Sequence, residues 1–175
     1  MNKALYFCIL VGLVILIGCG KKNSTASNSV PKKPKKEGSA RANSTEKKAD
    51  AVIKAAKSYT GTPYKYGGTS RAGIDCSGLT CASFKAIDIA LPRTSNEQST
   101  FGKSVGLSEL QKGDLVFFTD KKGGKKITHV GIITEVNGTE SAKFIHSSTK
   151  LGVVEVDLFS NYYKPLILKA IRVLD

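Results

Sequence analysis

The sequence predicts an α+β domain in which N-terminal helices pack on a mostly antiparallel sheet of five to six strands. Apolar residues recur at helical spacing in two segments between 49 and 88, and five strand-like apolar runs follow between 114 and 174. Helices first and strands afterwards, joined by turn signals and not by helical crossovers, describe a segregated α+β order.

Ala49, Val52, Ile53 and Ala56 form the stripe of the first helix, with Ser44 or Thr45 available as cap and Gly61 with Pro63 closing it. The run "TPYKYGGTSRAGI" is rich in turn formers and reads as a loop. A second helix begins at Asp75 or Cys76 and runs to about Asp88, capped by Asp75, with Leu79, Ala82, Phe84 and Ile87 as its apolar contacts. The strand runs are "DLVFFT" from Asp114, "HVGIITEV" from His129, "KFIHSS" from Lys143, "GVVEVD" from Gly152 and "LILKAIRVL" from Leu166. Gly123-Gly124 and Asn137-Gly138 are turn signals, and Asn137-Gly138 predicts a tight hairpin. No internal repeat is present.

Residues 1–18 read as a signal peptide: Lys3, then an apolar run from Ala4 to Ile17, shorter than the roughly 20 residues of a spanning helix. The ending Leu16-Ile17-Gly18-Cys19 resembles a bacterial lipobox, which implies cleavage before Cys19, acylation of its thiol and a membrane tether outside the cytoplasm. Residues 19–48 then form a lipidated cysteine and a disordered basic tether without hydrophobic period. Residues 20–48 hold nine basic and two acidic residues, so most of the formal +13 sits there, and the domain at 49–175 carries only +5. The high charge is therefore a poor argument for nucleic acid, which is not expected as a partner. Attraction of the tether to anionic lipid or wall polymer stays open beside plain solvation.

With Cys8 in the signal and Cys19 under lipid, Cys76 and Cys81 are the only thiols of the folded part. A disulfide between them is disfavoured, because residues five apart on one helix point about 140° from each other. The chain has two histidines, His129 and His146, on consecutive predicted strands where they can be cross-strand neighbours on one face. Cys76, Cys81, His129 and His146 have zinc-ligand chemistry, but pairs separated by four and sixteen residues lack the usual spacing. No metal is expected. A thiol at a helix N-terminus beside imidazoles is the arrangement of nucleophilic catalysis, and it predicts a thiol pKa lowered from about 8.5. Cys81 reads as packing on the core face, turned away from Cys76.

"TPYKYGG" (62–68), "DCSGL" (75–79), "LPRTSNEQ" (91–98), "KGDLVFF" (112–118), "HVGI" (129–132) and "IHSS" (145–148) stand in the order seen in one family. Through nearly all of 49–175 the chain resembles the NlpC family of papain-like cell-wall cysteine peptidases. The resemblance implies Cys76 as nucleophile, His129 as base and His146 as the residue orienting it. It also implies Tyr66 near the nucleophile and the oxyanion, and Asp75 with Ser77 receiving the amino terminus of a stem peptide. The substrates implied are peptidoglycan stem peptides, cut between γ-D-glutamate and diaminopimelate or lysine through an acyl-thioenzyme without a cofactor. Arg93 is open between pairing with a substrate carboxylate and a structural ion pair. A related amidase or acyltransferase, and a non-catalytic wall-binding lipoprotein, are the rival readings. Oligomeric state is not legible, and an outer-membrane site facing the periplasm is the expectation for a Gram-negative host.

Overall fold

A computed structural model describes residues 37–174; the expected signal peptide, Cys19 and the tether up to residue 36 lie outside them. The first helix, α1, spans Glu37–Lys57. Its buried residues are Ala49, Val52, Ile53 and Ala56, the predicted stripe, and Lys54 with Lys57 complement the negative end of its dipole. Two expectations are corrected here. Residues 37–48 are helical and not disordered, and Ser44 and Thr45 lie inside the helix and do not cap it. Nucleation is the costly step of helix formation, so once 49–57 is packed, the alanine, arginine, glutamate and lysine residues before it extend the helix at little further cost.

A small antiparallel hairpin, β1 (Thr69–Ser70) and β2 (Gly73–Ile74), replaces the loop expected after α1. It leads directly into α2, Cys76–Phe84, which finishes in a 3₁₀ turn over Lys85–Ile87, with Asp88 left-handed at φ 60°. Leu79 and Phe84 of α2 are fully buried, each worth roughly 2–3 kcal/mol of apolar transfer. A short helix, α3 (Ser95–Gln98), follows with a complete capping box between Thr94 and Glu97.

The main sheet comprises β3 (Lys103–Val105), β4 (Leu115–Phe118), β5 (His129–Val136), β6 (Ala142–Ser148), β7 (Gly152–Asp157) and β8 (Ile167–Arg172), in spatial order β3-β8-β4-β5-β6-β7. Every pairing in it is antiparallel. One face, with Leu115, Phe117, Val130, Ile132 and Ile145, packs with α1 and α2. The other, with Val116, Phe118, Ile133 and Phe144, packs with Leu158 and the partly buried Tyr163 and Leu166 of the segment between β7 and β8. The α+β architecture is as expected, with six strands in the main sheet. The turn at Asn137-Gly138 is wider than a two-residue hairpin: Asn137 N–H donates to Ser141 O at 2.7 Å, closing a five-residue loop.

Two buried polar ties fix the layers. Arg172 forks onto Asp114, which is 1% exposed, with both contacts at 2.8 Å, joining β8 to the start of β4. Ser147 Oγ donates to Ile74 O at 2.7 Å, which binds β6 to the residue two before Cys76.

Candidate active site

Asp75 sets the position of Cys76. Its extended backbone (φ −92°, ψ 177°) is the N-cap of α2, and its Oδ1 accepts from Gly78 N–H at 2.6 Å. Arg93 grips both carboxylate oxygens, at 3.0 and 2.7 Å, and donates to Ser77 Oγ at 2.9 Å. Gly67 N–H donates to Asp75 Oδ2 at 2.9 Å and Ser77 Oγ to Oδ1 at 3.2 Å. Burial pushes the Asp75 carboxyl up, but the Arg93 and backbone donors outweigh it and hold the group below its ordinary value. Gly78 is required for this closeness, since a Cβ there would lie 2.4 Å from Gly68 O.

Of the two readings open for Arg93, the structure shows the ion pair, with Asp75, while the side chain also lines the cleft. Asp75 and Ser77, expected to receive an amino terminus, both line the cleft beside Cys76, where the Asp75 carboxylate accepts five hydrogen bonds within the chain. Gln98, fully buried, completes the support: its Nε2 donates to Ser77 O at 3.2 Å and Pro92 O at 2.8 Å, and Thr80 Oγ1 donates to its Oε1 at 2.8 Å.

The imidazoles come from the opposite face of the sheet. His129 is the first residue of β5, and the β5–β6 register begins only at Ile132–Ile145, so His129 and Val130 lie beyond the last paired residue. Continued along that register, His146 stands opposite Gly131, which makes the two histidines diagonal neighbours and not direct partners. Gly131 carries no side chain between them, and a Cβ there would sit 2.5 Å from Phe144 Cδ2. His129 Nε2 is 2.7 Å from His146 Nδ1, and Tyr163 Oη is 3.0 Å from His146 Nε2. Phe144 stacks on His146 at 4.8 Å and Tyr163 meets both edge-on.

Thiol and imidazoles meet where β5 begins. A hollow of about 270 Å³ is lined by Cys76, His129, His146, Tyr163 and Asp120. A second, of about 560 Å³, is lined by Cys76, Asp75, Ser77, Arg93, Tyr66 and Lys126. Tyr64, Cys76 and Thr128 line both, so the hollows are two halves of one cleft that adjoin at these residues. A roomier hollow of about 640 Å³ beside Arg41, Ala49 and Leu174 contains neither the thiol nor an imidazole.

Tyr66 is 90% exposed at the rim. The tyrosine beside the nucleophile is Tyr64, held by a bridge to Ile74; burial raises its phenol pKa, and the charge of Cys76 adds to that. The expectation for Tyr66 is thus corrected by two positions. Tyr66 opens the Gly-Gly turn, whereas Tyr64 is still tied to the strand leading into α2. Cys81 points away: its sulfur contacts Pro92 O and Gln98 Nε2, both at 3.3 Å, and it lines neither half of the cleft. Both thiols are free, and Cys81 stands apart from the other three residues considered as zinc ligands.

The protonation states also depart from expectation. Burial pushes the Cys76 thiol up, and the Asp75 charge adds to this, against the N–H groups of Val130, Ser77 and Cys76 that favour the thiolate. Burial lowers His129 to about 4, and burial with the facing His129 lowers His146 to about 3. Burial thus opposes the lowered thiol pKa expected from the sequence and favours the neutral forms of Cys76, His129 and His146. With Nε2 of His129 engaged by His146, Nδ1 is the nitrogen left for a thiol proton. That requires a proton on His129 Nε2, donated to His146 Nδ1, and a proton on His146 Nε2, donated to Tyr163 Oη. Tyr163, Tyr64 and Gln98 were missed in the sequence. Gln98 stood within the matched "LPRTSNEQ" and Tyr64 within "TPYKYGG", but Tyr163 lies outside every motif.

The sequence model of the NlpC/P60 family matches residues 61–172. The chain is 38% identical over 118 residues to the probable endopeptidase NlpC of Escherichia coli, covering 67% of this chain and 73% of that one. It is 43% identical over 84 residues to the gamma-D-glutamyl-L-lysine dipeptidyl-peptidase of Bacillus cereus, covering 48% of this chain and 25% of that one. A crystal structure of an NlpC/P60 family protein from Bacillus cereus superposes with a TM-score of 0.66 at 35% identity, over 73% of this chain and 40% of the crystallised chain.

Proposed function

This chain belongs to the NlpC/P60 family, and from that membership together with the thiol–imidazole cleft we infer that it is a cysteine endopeptidase hydrolysing peptidoglycan. The observation that carries the reading is the convergence of Cys76, His129 and His146 on one hollow at the start of β5. The roles follow from the chemistry of the groups. His129 Nδ1 takes the proton of Cys76 as the sulfur attacks the scissile carbonyl, and the C–S bond forms. Because the resting pair is neutral, the charges appear only during attack, where the backbone N–H groups at the start of α2 oppose the negative charge. His146 stabilises the transient His129 cation through the 2.7 Å contact. The proton then passes to the leaving amine as the C–N bond breaks. Water, deprotonated by His129, releases the acyl group and returns the proton to the thiol.

The substrate reading is a stem peptide cut between γ-glutamate and a diamino acid, supported by the relative whose name specifies a γ-D-glutamyl-L-lysine bond. Digestion of purified muropeptides with wild type and Cys76→Ala, followed by mass spectrometry, tests it. Wild type should release fragments ending in γ-glutamate and the variant none; identical fragments from both would sink the nucleophile assignment. We also propose that the chain is a lipoprotein anchored through Cys19, a reading supported by Leu16-Ile17-Gly18-Cys19 alone. Incorporation of a fatty-acid analogue that disappears in Cys19→Ala would support it, and equal labelling of both would reject it.

A further inference from the structure

The two halves of the cleft carry opposite unpaired charge. In the half that contains Asp75, that carboxylate and Arg93 neutralise each other through the fork at 3.0 and 2.7 Å. Lys126 lines the same half and makes no hydrogen bond or ion pair among the described residues. It belongs to the ten-residue loop between β4 and β5, "TDKKGGKKIT", whose four lysines form no ion pair among the described residues. The loop turns tightly: Gly124 N–H donates to Lys121 O at 2.9 Å, and a Cβ on Gly124 would lie 2.1 Å from Thr119 Oγ1. In the half that contains the histidines, Asp120 of the same loop lines the wall. Its carboxylate has one hydrogen bond, from Thr119 Oγ1 at 3.2 Å, and no ion pair among the described residues.

We propose that Lys126 and Asp120 are the specificity-determining poles of the cleft: Lys126 receives the free α-carboxylate of the γ-linked glutamyl residue, and Asp120 the side-chain ammonium of the diamino residue that leaves. This rests on the endopeptidase reading and deepens it. A γ-glutamyl bond leaves the α-carboxylate free on the acyl side, and a lysine or related residue leaves an ammonium free on the amine side. The scissile carbon lies between these charges as Cys76 lies between the two poles. Charge complementarity therefore fixes the direction in which the peptide lies, with the acyl residue toward Arg93 and Lys126 and the leaving residue toward Asp120. An unpaired ion of opposite sign on each side penalises the reversed peptide as well as favouring the correct one.

The test uses the full-length chain in detergent with synthetic L-Ala-γ-D-Glu-L-Lys peptides in which the glutamyl α-carboxyl is free or amidated and the lysine amine is free or acetylated. Wild type should prefer the free carboxyl and the free amine, each by about tenfold in kcat/KM, the size of one partly screened charge pair. Lys126→Gln should collapse the carboxyl ratio toward one and leave the amine ratio. Asp120→Asn should do the reverse. Lys121→Gln/Lys122→Gln/Lys125→Gln should retain both ratios. Unchanged ratios in the single variants, or a carboxyl ratio that collapses in the triple variant instead, overturn the assignment. If wild type cleaves none of the four peptides, the endopeptidase reading itself fails; cleavage without discrimination rejects only the poles.

Discussion

Lowering the pH from neutrality to about 5 should cost the fold on the order of 2 kcal/mol through His146 alone. The side chain is 2% exposed, and burial together with the facing His129 lowers it from 6.5 to about 3. The sign follows from the depressed folded value: the contribution is complete above 6.5, where both states are neutral, and is lost as pH falls toward about 3. At about pH 5 an unfolded imidazole is almost wholly protonated and the folded one is not, which at about 1.4 kcal/mol per pH unit over about 1.5 units gives the figure above. His129, lowered to about 4, acts in the same direction over the narrower window from 6.5. Urea unfolding of wild type, His146→Gln and His129→Gln/His146→Gln at several pH values between 7.5 and 5 reads this directly. Wild type should lose stability steeply, the single variant less so, and the double variant least. Parallel curves for all three proteins would refute the claim that the imidazoles are held neutral by burial.

Four further outcomes follow. Cys76→Ser should abolish hydrolysis while Cys81→Ala retains most of it, and wild type at pH 7.5 should lack the thiolate absorbance near 240 nm attributable to Cys76. Arg93→Met should destabilise the domain by about 2 kcal/mol in urea unfolding, below the 3–5 kcal/mol of a fully buried pair because the Arg93 side chain is 42% exposed. Tyr163→Phe removes the partner of His146 Nε2 and should lower kcat about tenfold with KM little changed, while shifting the acid limb of the pH profile; an equal loss in kcat/KM without any pH shift would make Tyr163 merely structural. Gly131→Ala drives a methyl against the Phe144 ring and should cost about 1–3 kcal/mol in thermal or urea unfolding.

What could be read beforehand is what local pattern encodes. β5 and β7 have the bounds expected from "HVGIITEV" and "GVVEVD", and α2 starts at Cys76 because Asp75 is a strong N-cap followed by a buried apolar helix. β3 went unseen because three residues, two of them exposed, carry no alternation and pair only through β8, almost seventy positions later. The extension of α1 was hidden by composition: its charged and small residues suit a solvated coil as well as a solvated helix, and only the packed stripe after Ala49 decides between them. The site residues were named because chemistry confines the options to few cysteines and histidines. Their protonation was not, because it depends on burial created by Phe118, Phe144 and Tyr163 from three separate segments.

The first twelve residues of α1, Glu37–Lys48, form a helical rod about 18 Å long at 1.5 Å per residue ahead of the buried stripe, exposed from Ala40 to Lys48 except for the half-buried Thr45. A rod continuous with a packed helix transmits torque, where a coil of equal length would act as a swivel. Whatever is joined ahead of residue 37 is therefore attached to a handle with a fixed bearing on the catalytic cleft, and a pull on that handle turns the whole domain instead of only stretching the connection. A glycine pair placed near Ser44 would convert the handle into a free joint without touching a buried residue.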